Sequence, residues 1–101
     1  MMGIDVEDLI ITAMSRKNPQ EGIKLRLTLA RKYVAEAEVY LKKNNSAQAS
    51  EKAYKVAEEA VKALSEKFNL QEYQQAVKEG IWYAYALGSA SASLSKMLGE
   101  G

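Results

Sequence analysis

AQASEKAYKVAEEAVKAL, Ala47 to Leu64, reads as one long alanine-rich helix. Ala49, Ala53, Ala57 and Ala60 recur at steps of three and four, with Val56, Val61 and Leu64 beside them, which places them on one face of a 3.6-residue helix. Glu51, Lys55, Glu58, Lys62 and Glu66 recur in the same way on the opposite face. The pattern predicts core on one side and solvent on the other. Alanine on the core side lets neighbouring helix axes approach to the short end of the usual range of about 8–10 Å. The expected fold is therefore all-α, an antiparallel bundle of four to five helices forming a single domain over residues 1–101.

Upstream, Asn45 followed by Gln48 has the spacing of a capping box and opens this helix. Asn18, Pro19 and Glu21 open an earlier one, expected from Pro19 to Lys43, with proline at the first helical position where its missing N–H costs nothing. Ile23, Leu27, Ala30, Val34, Ala37 and Leu41 form its main apolar stripe, widened by Leu25, Leu29, Tyr33 and Tyr40, while Gly22 slightly weakens its first turn. Residues 4–17 form a first helix, with Val6, Leu9, Ile10, Ala13 and Met14 on one face and Asp5 and Asp8 at a capped start. Downstream, the central helix ends near Phe68, and Asn69 with Glu72 repeats the capping spacing. Over 70–98, Tyr73, Val77, Ile81, Ala84, Leu87, Leu94 and Leu98 fit a helical face, with a break expected near Gly80 and a weaker point at Gly88. The Ser89 to Ser95 run, SASASLS, is read as helix rather than linker.

The 101 residues contain no cysteine and no histidine, which removes thiol nucleophiles, thiolate metal sites and the commonest general base and metal ligand. No glycine-rich phosphate loop or hydrolase motif is present. The expectation is a protein that is not an enzyme and takes no metal or cofactor. Net charge is +1, but residues 1–15 carry −3 and residues 16–32 carry +5. Within that basic stretch Arg16, Lys24, Arg26, Arg31 and Lys32 are the candidate anion, nucleotide or nucleic-acid residues. The plainer alternative is a solvated helix face, since surface ion pairs are common and weak. Glu58-Glu59 is read as helix surface. No apolar run approaches the ~20 residues of a membrane span, and the N-terminus lacks the pattern of a signal peptide. A cytoplasmic protein is expected. The charged helix faces fit a thermophile.

Ile81 to Leu87, IWYAYAL, is apolar all round the helix, so some of Ile81, Trp82, Tyr83 and Tyr85 are expected to face a partner rather than the core. The partner expected is a second copy, giving a homodimer, or another protein.

Ala30-Arg31-Lys32-Tyr33, Ala35-Glu36-Ala37-Glu38 and Tyr40-Leu41, followed by the run from Gln48 to Leu64, resemble the PaREP family of archaeal repetitive-element proteins, with a HEPN-like helical fold. The likeness is closest over 25–68 and looser over 72–98. It implies an up-down helical bundle, often dimeric. Active HEPN proteins cut RNA with an Arg and a His on one helix, and the lack of histidine here removes that site. The resemblance also implies the alternative of a silent partner to a nucleotidyltransferase.

Overall fold

Asparagine, proline and glycine set the chain's turns. The computed structural model describes residues 6–99. Among these, α1 spans Val6–Lys17, α2 Pro19–Lys42, α3 Ser46–Lys67, α4 Gln71–Glu79 and α5 Ala84–Met97. Asn18 accepts from the Glu21 amide at 3.3 Å, and Asn45 accepts from the Gln48 amide at 3.2 Å, so two of the three expected caps are made. The third is not. Asn69 instead adopts φ 52, left-handed, and Leu70 becomes the N-cap of α4 without a side-chain bond. Asn69 and Asn44, at φ 59, close α3 and α2 in the same way. The amide of the following residue reaches back to Ser65 O at 2.9 Å and Tyr40 O at 2.8 Å, satisfying carbonyls the helix leaves open. Asparagine tolerates this conformation better than other residues bearing a Cβ. The Asp5 part of the expected α1 cap lies outside the described residues.

Gly80 ends α4 at φ 82, and residues 80–83 are non-helical, as the break near Gly80 predicts. Gly88 lies inside an unbroken α5, and Ser89 to Ser95 are helical.

The bundle is built on the α2–α3 hairpin. Arg26 meets Glu59, while Tyr33 lies under Lys52 and Lys55 and Glu36 pairs with Lys52 at 3.0 Å. Numbers rise on one helix as they fall on the other, so the pair is antiparallel. α1 lies along one side of the hairpin, with Ile11, Leu29 and Tyr33 forming one apolar cluster. α4 and α5 close over α3 through a second cluster of Tyr73, Ala76, Trp82, Ala86 and Ala90.

The buried faces differ from the most apolar ones. On α1 the buried residues are Asp8, Ile11, Thr12 and Ser15, while Val6, Ile10 and Met14 are exposed. On α2 they are Gly22, Arg26, Leu29 and Tyr33, while Leu27, Val34 and Leu41 are exposed. On α3 Glu59, Lys62 and Glu66 are buried, and Ala53 and Ala57 are exposed. The solvated row predicted for Lys62 and Glu66, and the surface position predicted for Glu59, are therefore corrected. The interior neutralises Glu59 and Lys62 together with Asp8 and Arg26, and holds Glu66 through the hydroxyls of Ser15 and Tyr73.

Candidate functional site

Where α1, α2 and α3 meet, four charged side chains form a closed cluster. Arg26, at 1% exposure, donates from Nη1 to Asp8 Oδ1 at 2.5 Å and to Glu59 Oε1 at 3.0 Å. Its Nη2 donates to Thr12 Oγ1 at 3.1 Å, and the Thr12 hydroxyl donates to the Asp8 carbonyl at 2.8 Å. Lys62 Nζ closes the ring, 2.9 Å from Asp8 Oδ1 and 3.4 Å from Glu59 Oε2. Two cations against two carboxylates make the cluster neutral, which is how buried charge is tolerated. Burial alone would raise the Asp8 carboxyl; the charges of Arg26 and Lys62 and the hydrogen bonds they donate outweigh it and hold the group below its ordinary value. The cluster joins three helices at fixed register and leaves its carboxylates no spare charge for a metal. Among the described residues no group of three or more His, Cys, Asp or Glu could hold one.

Glu66 sits beside this cluster. It accepts from Ser15 Oγ at 3.0 Å and from Tyr73 OH at 3.5 Å, linking α1, α3 and α4. Burial pushes its carboxyl above the ordinary 4.5, and the Ser15 bond, the Arg26 charge and the Tyr73 bond only partly oppose the rise. Because the folded value is raised, the folded state binds more protons than the unfolded state, so this group favours folding below about pH 4.5 and loses that contribution as pH rises through the folded value. Glu66→Gln is therefore expected to raise the melting temperature at pH 7, with the gain shrinking as pH falls through the folded value and gone below about pH 4.5. Thermal melts of both proteins from pH 4 to 8 check this. A constant offset across that range would show that Glu66 does not titrate as described.

The five basic candidates do not converge. Arg26 is buried in the cluster. Arg16 donates to the Val77 carbonyl and ties the end of α1 to α4. Lys32 lies 3.5 Å from Glu7 across α1 and α2. Only Lys24 and Arg31 stand together, one heptad apart on the exposed side of α2.

The aromatic candidates also separate. Trp82, at 8% exposure, is core, anchored against Tyr73 and Ala76, and is corrected as a partner-facing residue. Ile81 is half-buried. Tyr83 and Tyr85 face outward with their rings stacked, centroids 5.6 Å apart and 10° from parallel. Near them, Tyr54, Ala57, Leu87, Gly88 and Ser91 line a shallow α3–α5 cleft of about 230 Å³. A second cleft of about 350 Å³ runs between α1 and α2, lined by Ile10, Ile11, Met14, Leu25 and Leu29, with Glu7 and Lys32 at its rim.

A third surface is one that sequence reasoning assigned to the core. Leu27 and Val34 are each 44% exposed and Leu41 is 61% exposed, on the side of the hairpin away from α1. Ala53, Ala60 and Leu64 of α3 lie on the same side by helical register, so the two helices together present a smooth apolar face. The periodicity was visible in the sequence, but its lack of a covering helix was not.

No helix among the described residues is long and apolar enough to cross a membrane. No curated protein and no solved structure matches the chain. The archaeal PaREP1/PaREP8 family matches over residues 25–101, covering most of α2 and all of α3 to α5, with the interior Arg26, Glu59, Lys62 and Glu66. The chain belongs to the archaeal PaREP1/PaREP8 family.

Proposed function

We propose that the protein is a non-catalytic helical module that works by self-association. The observation that supports this is Val34, 44% exposed at the middle of a regular apolar stripe on the longest helix. Apolar patches of this kind mark contact surfaces. The absence of histidine, which removes the Arg–His nuclease pair implied by the HEPN resemblance, agrees with a non-catalytic role. The dispersal of the five basic residues disfavours the nucleotide or RNA reading, and nothing in the geometry favours a nucleotidyltransferase partner over a second copy.

Light scattering behind a sizing column tests the proposal. The wild-type protein is expected at twice the chain mass of 11.2 kDa. Val34→Glu, which places a charge in the stripe, is expected at the single-chain mass with its helical circular dichroism retained. A monomeric wild type at about 100 µM, well above the Kd of a stable dimer, would defeat the self-association reading. Tyr83 and Tyr85 form a separate exposed aromatic face suited to another protein. Tyr85→Ala is therefore expected to leave the dimer mass unchanged.

A further inference from the structure

The geometry points to one specific dimer: two copies joined through antiparallel α2 helices, with Arg31 of each copy against Glu38 of the other. This rests on the self-association proposed above and adds the register and orientation.

Ile23, Leu27, Ala30, Val34, Ala37 and Leu41 step along α2 by four, three, four, three and four. That is a heptad seam, the spacing that keeps one stripe facing a partner helix. One flank of the seam is occupied, because Arg26, Tyr33 and Tyr40 turn toward α3. The other flank carries Lys24, Arg31 and Glu38, also at heptad spacing and exposed. Arg31 and Glu38 enter no ion pair among the described residues.

A two-fold axis can relate two α2 helices in parallel or antiparallel fashion. In the parallel case each open flank meets the occupied flank of the other copy, and Arg31 and Glu38 find no partners. In the antiparallel case open flank meets open flank. Setting Val34 against Ala37 of the second copy then sets Leu41 against Ala30, large against small through the four central layers, with Ile23 and Leu27 beyond the overlap. The same register puts Arg31 beside Glu38 twice, once at each end of the two-fold. Sliding by one heptad would set Lys24 beside Glu38 but also bring the two Arg31 side chains together, so the proposed register is the one of the two that is free of a like-charge contact. The small Ala53 and Ala60 on the same side of α3 leave room for the second α2, and the four helices form one layer-on-layer bundle.

The test uses the full chain and sedimentation or light scattering over a dilution series, with circular dichroism as the folding check. Arg31→Glu alone creates two like-charge contacts, as does Glu38→Arg alone. Each is expected to raise the dimer Kd by roughly tenfold or more. Arg31→Glu with Glu38→Arg in one chain restores the opposite-charge contacts and is expected to return the Kd to within about threefold of wild type. Mixing the two single variants is expected to give a heterodimer tighter than either homodimer, because every contact in it pairs a Glu with an Arg. If the single variants dimerise like wild type, or neither the double variant nor the mixture recovers, this pairing is overturned while self-association through another surface stands. A wild type that is monomeric throughout overturns both.

Discussion

Replacing Arg26 with alanine is expected to cost about 3–5 kcal/mol, because removing one partner of a buried ion pair strands the others. A protein of this size has a total stability of about 5–15 kcal/mol, so one side chain accounts for a large share of it. The melting temperature should fall by at least about 12 °C, at about 4 °C or more per kcal/mol for domains near this length. The reason is specific to the cluster. Without the guanidinium, Asp8 and Glu59 lose one of the two cations that bridge them, and Thr12 loses the donor that fills its oxygen. Arg26→Lys is expected to fall between wild type and Arg26→Ala, since an ammonium cannot reach both carboxylates and Thr12 with a planar fork. Replacing the whole cluster by Asp8→Leu, Arg26→Met, Glu59→Leu and Lys62→Met removes the stranded charges together, and that variant should melt above Arg26→Ala. Thermal and urea melts followed by circular dichroism measure all three. An Arg26→Ala protein melting within about 2 °C of wild type would show that the cluster does not hold the helices, since the stranded charges should cost several kcal/mol.

The turns were legible in the sequence and the buried faces were not, for reasons that separate local from distant chemistry. Asn18, Pro19, Asn45 and Gly80 act on their own backbones, so their roles can be read from a few adjacent residues. Asn69 shows the edge of that legibility: the same Asn-x-x-Glu spacing that suggested a cap belongs to a left-handed helix end, because asparagine serves either purpose. Apart from the local Glu59–Lys62 pair, the burial of Asp8, Arg26, Glu59 and Lys62 depends on partners 18 to 54 residues apart, across three helices. No local window shows that those charges cancel. Asp8, Thr12 and Ser15 form as regular a stripe on α1 as Val6, Ile10 and Met14, and periodicity treats the two alike. Periodicity places the apolar stripe of α2 in the core for the same reason, but among the described residues no helix covers it. IWYAYAL divides because residues 80–83 lie outside the helices: Trp82 turns into the core cluster while Tyr83 and Tyr85 face outward, so the surplus of aromatic surface is legible in the sequence but which ring is buried is not.

Gly22→Ala and Gly88→Ala are expected to move stability in opposite directions. Both glycines lie within helices, where alanine is favoured by about 1 kcal/mol. At Gly88 an added Cβ meets nothing within 4 Å, so the propensity gain should appear as a rise in melting temperature of a few degrees. At Gly22 the same carbon would lie 1.8 Å from Ser15 Oγ, 2.6 Å from Glu66 Oε2 and 2.8 Å from Ser15 Cβ. The absence of a side chain there lets α1 lie close enough to α2 and α3 for Ser15 to reach Glu66, and for Asp8 and Thr12 to reach Arg26. Admitting the methyl must push α1 outward or turn Ser15 away, leaving the buried Glu66 without its 3.0 Å donor. Overpacking of this kind costs roughly 1–3 kcal/mol beyond the propensity gain it offsets, and the lost buried hydrogen bond adds about 1 kcal/mol or more. A net fall of at least about 4 °C is expected for Gly22→Ala. Ser15→Gly combined with Gly22→Ala removes both Ser15 atoms from the clash, so the two changes together should cost less than the sum of their separate costs. If Gly22→Ala is as stabilising as Gly88→Ala, α1 does not pack against the hairpin at this distance. The Ser15–Glu66 link and the depth of the charge cluster would then both be wrong.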